Sequence, residues 1–176
     1  IGGISQASEV KELSSLSYLS MYGYSGGDLD FNLFPSLKSL QTSYTSSEPI
    51  DLSLLMSLEN LTFWRYSSAS LDLSSNIALG YLSIRTSALE EIDIGEPTAL
   101  GVVEVICIDD HGLDIIASQE SQVRTLSVKS CNNAEMNLQY LSNLSELTLW
   151  EGGLNKLVLA PNVEKISFSY LALPVF

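Results

Sequence analysis

Basic residues are scarce in this chain: eight Lys and Arg stand against 21 Asp and Glu, a formal charge of −13. That balance repels phosphate backbones and anionic headgroups, so neither nucleic acid nor an acidic membrane surface is an expected partner. Histidine is scarcer still, with His111 alone in Asp109-Asp110-His111-Gly112. A catalytic histidine needs a nucleophile or a metal beside it, and His111 reads instead as a loop residue. No apolar run approaches the roughly 20 residues of a membrane-spanning helix, so no membrane insertion is expected. No signal-peptide pattern opens the chain, although a start at Ile1 rather than Met suggests a processed or excised piece of a longer protein. No glycine loop of the phosphate-binding kind is present, since Gly23 and Gly26-Gly27 keep the company of turn residues. The two cysteines, Cys107 and Cys131, make neither a disulfide framework nor a metal spacing. No metal or cofactor is expected.

What is abundant is leucine at regular intervals. In Leu58 to Asn76 the apolar residues fall in two clusters, Leu58/Leu61/Phe63 and Leu71/Leu73, at positions 1, 4, 6, 14 and 16 of a unit. Position 1 recurs at Leu16, Leu37, Leu58, Leu79, Leu100, Val123, Leu144 and Val163, mostly 21 residues apart. Thr42 is the one polar residue among the 24 first-cluster positions. The second cluster follows as Leu29/Phe31, Ile50/Leu52, Leu71/Leu73, Ile92/Ile94, Leu113/Ile115, Met136/Leu138 and Leu157/Leu159. Two extra residues are assigned to the stretch 116–122 and two missing ones to 160–162, both in loops. Residues 1–15 read as a partial unit or N-terminal cap. The end, Tyr170 to Phe176, stays apolar, as expected of a chain cut from a longer array or of an edge that meets a partner.

Each cluster alternates with period two, which is a short strand with one face inward. The connections are small, polar and turn-forming, too short for a three-turn helix. Burying about five large side chains does not offset the conformational entropy of ordering a whole unit. The units must therefore stack. In this frame Cys107 and Cys131 occupy positions 8 and 9 of neighbouring units. Adjacent strand positions face opposite ways, which favours two reduced, partly buried thiols over a disulfide.

Units such as Leu58-Glu-Asn-Leu-Thr-Phe with Leu71-Asp-Leu resemble leucine-rich repeat proteins, and most of all the short 21-residue bacterial class with a second LDL cluster. The resemblance covers roughly residues 8–176. It implies a right-handed, curved solenoid of about eight units, mainly short parallel β-strands with little or no helix, forming a single leucine-rich repeat domain over residues 1–176. It also implies macromolecular recognition on the concave strand face, in a secreted or cell-surface bacterial protein. One departure stands out: the family's asparagine at position 9 is replaced by Tyr24, Thr45, Tyr66, Ser87, Ile108, Cys131, Gly152 and Leu171. The corner must be satisfied by other groups.

Outward positions stack into columns about 4.8 Å apart, the spacing of neighbouring strands. Position 7 carries Tyr22, Trp64, Arg85, Lys129 and Trp150; position 3 adds Tyr18 and Tyr81, and position 8 adds Tyr44 and Arg65. These nine side chains are the candidate ligand-binding residues, because Tyr, Trp and Arg dominate interface hot spots. The plainer alternative is that aromatics simply suit strands. A second column, Asp30, Asp51, Asp72, Asp93 and Asp114, offers carboxylates to a cation such as Ca²⁺, but the favoured reading is that each accepts local hydrogen bonds and shapes a turn.

The functional expectation is a non-enzymatic module binding a protein or glycan. Two alternatives stand beside it. One is a polysaccharide-acting enzyme of the β-helix type using Asp109, Asp110 and Lys129; the other is an architectural spacer.

Overall fold

A computed structural model describes residues 10–24, 30–94, 99–108, 114–116, 122–132 and 134–172. The strands are β1 (Tyr18–Tyr24), β2 (Ser39–Tyr44), β3 (Asn60–Tyr66), β4 (Ser70–Asp72), β5 (Tyr81–Thr86), β6 (Glu91–Asp93), β7 (Val102–Cys107), β8 (Asp114–Ile116), β9 (Thr125–Lys129), β10 (Ala134–Asn137), β11 (Glu146–Val158) and β12 (Lys165–Ala172). The first-cluster strands pair in parallel in the order β1-β2-β3-β5-β7-β9-β11-β12. The second clusters form the smaller sheet β4-β6-β8, and β10 pairs with the later half of β11. Helix among the described residues is confined to two 3-10 segments, Val10–Ser15 and Phe31–Leu33. The molecule is a parallel-strand solenoid of about six turns with almost no helix; the solenoid architecture agrees with the repeat, whose spacing predicts about eight units.

The core is the stack of first- and second-cluster side chains. Leu40, Leu61, Leu82, Val103, Leu126 and Leu147 are register partners along the long sheet and are all buried. Leu71 and Ile92 face them from the small sheet. Polar Thr42 sits fully buried in the same stack, its Oγ1 donating to the Ser43 carbonyl at 3.3 Å. At unit position 2 an amide ladder runs from coil to coil: the N–H groups of Lys38, Glu59, Gly80, Gly101, Arg124, Ser145 and Glu164 each donate to the preceding coil's carbonyl at 2.8–3.0 Å. Asn76, where other coils place Leu55 or Leu141, is buried and donates its Nδ2 hydrogens to the carbonyls of Leu52 and Leu55. Leu13 and Leu16 pack partly buried against the core beside the first 3-10 segment. The remainder of the expected cap, residues 1–9, lies outside the described residues.

The corner after the long sheet departs from the sequence reading. The residue that turns inward is position 8 in three coils, Tyr44, Thr86 and Cys107, and position 9 in two others, Tyr66 and Cys131. The extra residue of β3 is a bulge: Phe63 and Tyr66 pair with Ile84 and Thr86, so Trp64 and Arg65 together face a single residue of β5. After β9 it is absorbed by Ser130, whose φ of 58° is left-handed; Glu151 and Tyr170, at the same unit position, repeat the device with φ of 50° and 55°. Strand alternation does not carry across such a residue. Both cysteines therefore point inward, with Cα atoms 4.9 Å apart, and Cys107–Cys131 is a disulfide. This corrects the expectation of two reduced thiols.

Other groups do the missing asparagine's work at this corner. Thr86 Oγ1 donates to the Tyr66 carbonyl and accepts the N–H groups of Leu89 and Ala88 at 2.8 and 3.1 Å. Tyr66 donates its hydroxyl to the Ser70 carbonyl at 2.6 Å. Burial pushes that phenol up to about 12, so it stays a donor throughout the physiological range.

The two-residue insertion also moves. Thr86 pairs with Cys107 and Ile92 with Ile115, six residues apart on one coil and eight on the next. The extra pair therefore lies between Cys107 and Ile115 rather than within 116–122. At the far edge Ile166 and Phe168 are exposed, although their register partners Leu147 and Leu149 are buried; residues 173–176 lie outside the described set.

Among the described glycines the neighbouring coil comes closest at Gly152, where an added Cβ would lie 2.3 Å from the Cys131 carbonyl oxygen. Gly152→Ala is expected to destabilise the fold by about 2 kcal/mol or more, since the obstacle is backbone. Gly80→Ala meets only ordinary contacts at 3.6 Å and serves as the comparison, expected to be neutral. Urea midpoints of the two variants check this; equal midpoints would contradict it.

Candidate functional site

The solvent face of the long sheet carries eight of the nine candidate binding residues. Tyr22 is 82% exposed, and its ring stacks on Trp64 with centroids 4.3 Å apart and planes 11° from parallel. These rings belong to β1 and β3, which are not neighbours; β2 lies between them and contributes the small Ser43, 8% exposed. Two large side chains can meet only above such a residue. Tyr18 donates its hydroxyl to Gln41 Oε1 at 3.1 Å, and Tyr81 donates to Glu104 Oε2 at 2.9 Å. The Tyr81 phenol is pushed up, by burial first and by Glu104 second.

Arg65 and Arg85 are exposed on adjacent strands, and neither guanidinium has an ion pair or hydrogen bond among the described residues. Glu104 lies on the next strand, but it takes the Tyr81 hydroxyl instead. Further along, Lys129 and Trp150 are register partners on β9 and β11, with the ammonium 5.9 Å from the ring centroid, a weak cation–π contact. The structure thus joins Tyr22 to Trp64 and Lys129 to Trp150, with β5 and β7 separating the two pairs. Tyr44 does not belong here. It is buried at the corner and stacks on Tyr66 at 5.7 Å, because β2 lacks the bulge that holds position 8 outward in β3. That removes it from the expected binding surface.

The bulge is the feature that sequence reading missed. It places Trp64 and Arg65 consecutively between two buried residues, Phe63 and Tyr66, so both project outward from one short segment. Bulges re-aim side chains in this way and recur beside functional sites. The available signal was two residues, rather than one, between the aromatic core positions Phe63 and Tyr66.

The aspartate column behaves as turn chemistry. Asp30, Asp51 and Asp72 each accept through Oδ1 the backbone N–H two residues on, at 2.8–2.9 Å, and Asn137 does the same at 3.3 Å. Asp72 and Asp93 are register partners, but Asp114 pairs with Glu91, because the insertion shifts Ile116 into the place opposite Asp93. The column is therefore shorter than expected. Asp109, Asp110 and His111 lie outside the described residues. A shallow depression of about 480 Å³ beside Val102 and Thr125 contains one ionisable side chain among its described lining residues, Arg124.

No protein-family model matches the sequence, and no curated protein does. Among solved structures the fold resembles that of the functional domain of InlJ from Listeria monocytogenes, described as including a cysteine ladder, with a TM-score of 0.50 and 18% identity. The match covers 93% of this chain and 41% of that one, so the chain spans about two fifths of its neighbour's length. InlJ is a leucine-rich repeat protein, and the likeness extends to the fold alone.

Hydrogen bonds from the Ser53 hydroxyl and then its backbone N–H hold the Asp51 carboxyl below its usual value of 3.8. A depressed folded value contributes stability above the unfolded value and loses it as pH falls through the folded one. Asp51→Ala is expected to cost about 1 kcal/mol at pH 7, with the deficit shrinking as pH drops below 3.8. Chemical denaturation from pH 7 to pH 2 checks the sign; a deficit that grows on acidification would contradict it.

Proposed function

We propose that the chain is a non-enzymatic recognition module, secreted or displayed at a bacterial surface, that binds a protein or glycan on the solvent face of its long sheet. This is the concave face in leucine-rich repeat proteins. In this reading residues 16–176 are eight registered units of the 21-residue class behind a partial unit or cap at 1–15, together one domain. The observation that carries the proposal is the stacked Tyr22–Trp64 pair beside two arginines that have no partner among the described residues, all on one parallel sheet. Large amphipathic rings at low entropic cost, next to arginines free to pair, are the ingredients of an interface centre. The fold likeness to InlJ is consistent with a binding role and leaves the ligand open.

A screen of the intact protein against extracellular proteins and polysaccharides, run beside Trp64→Ala/Trp150→Ala, tests the reading. Loss of a hot-spot aromatic costs about 2 kcal/mol or more, so affinity for the ligand found is expected to fall at least about thirtyfold. Undiminished binding by a folded double variant would move the site elsewhere, and a screen with no ligand would favour the spacer.

A further inference from the structure

The chemistry at the β3 bulge narrows the ligand class, on the premise that the long sheet's solvent face is the binding surface. We infer that the site formed by Tyr22, Trp64, Arg65 and Arg85 takes a glycan with sparse carboxylates, such as a neutral sugar chain branched with uronic acid. Three observations converge on it. Arg65 and Arg85 occupy facing positions on the neighbouring strands β3 and β5, exposed and unpartnered among the described residues, in a chain of formal charge −13. Of all its groups, unpaired arginines are where an acidic protein has most to gain from an anion. Their planar forks match a carboxylate in two-bonded geometry.

Beside them the Tyr22–Trp64 stack supplies flat apolar surface. An aromatic face is electron-rich, and the C–H groups on one side of a pyranose ring bring partial positive charge against it. Gln41, Thr62 and Ser83 are partly exposed on β2, β3 and β5, one per strand in register, and offer hydrogen-bonding groups to sugar hydroxyls. An acidic peptide fits less well. Its same-side carboxylates recur about every 6.6 Å, two residues of extended chain, against a strand spacing of about 4.8 Å.

Sparseness follows from the rest of the molecule. The Debye length is about 8 Å at physiological ionic strength, so acids on the far face are screened from a single carboxylate at the arginines. A dense polyanion lies along the whole coil and meets that charge over its length.

The test is equilibrium binding of the full chain and of Arg65→Ala/Arg85→Ala to four soluble probes: glucuronoxylan, its carboxyl-reduced form, polygalacturonate and poly-L-glutamate. The wild type is expected to bind glucuronoxylan, with affinity at least tenfold weaker after either carboxyl reduction or the double substitution. Polygalacturonate is expected to bind no more tightly than glucuronoxylan, and poly-L-glutamate at least tenfold more weakly. The inference is overturned if glucuronoxylan is not bound, if reduction or substitution leaves its affinity unchanged, if polygalacturonate binds more tightly, or if poly-L-glutamate binds equally well. Failure here is separable from failure of the broader reading. A different ligand lost in Trp64→Ala/Trp150→Ala keeps the face as the binding surface and removes only the acidic glycan, whereas a ligand insensitive to both double variants removes the face itself.

Discussion

No coil of this chain can satisfy itself. The backbone N–H groups at unit position 2 find their acceptors only on the preceding coil, and the leucines of one strand lose their water only against those of the next. The entropy of ordering each coil is met by contacts that exist only when its neighbours are already in place. Register along the long sheet is therefore held with little tolerance, since a one-residue slip would turn a leucine column to solvent. Irregularity is pushed to the places where the ladder is weakest, the corners and the joints.

The features that set this chain apart are concentrated at those places. The bulge in β3, the left-handed residues Ser130, Glu151 and Tyr170, the two-residue insertion before Ile115 and the disulfide all lie between the end of a long-sheet strand and the small sheet or at its edge. The bulge in β3, Ser130 and the disulfide solve the same problem, bringing one inward group to the corner. Tyr44, Tyr66 and Thr86 solve it with rings and a hydroxyl, and Cys107 and Cys131 with a covalent bond. The β3 solution has a consequence on the other side of the sheet. Holding Tyr66 inward one residue late leaves Trp64 and Arg65 outward together, and small Ser43 on β2 leaves room for Trp64 to meet Tyr22. The candidate binding surface is thus a by-product of corner geometry.

This explains what could be read beforehand. The strand ladder was legible because leucine spacing and strand period are the same signal, and the turn role of Asp30, Asp51 and Asp72 followed from ordinary aspartate chemistry. Corners were not, because inward and outward there depend on a single φ value or one extra residue, which leaves almost no mark on apolar periodicity. That is why the apolar spacing places Tyr44 outward when it is core, Cys107 and Cys131 on opposite faces, and Asp114 in a column that it leaves. The aromatic candidates were visible as residue types, while the meeting of Tyr22 and Trp64 across an intervening strand was not.

The most direct measurement is native-state hydrogen exchange at the position-2 amides of Lys38, Glu59, Gly80, Gly101, Arg124 and Ser145. If stacking is the constraint on which everything else depends, the central four exchange with one common opening free energy, and all of them lose protection together as denaturant rises. Two blocks that open separately on either side of the insertion before Ile115 would contradict the account. The coils on each side would then be independently stable, and the corners would be joints between units rather than adjustments within one.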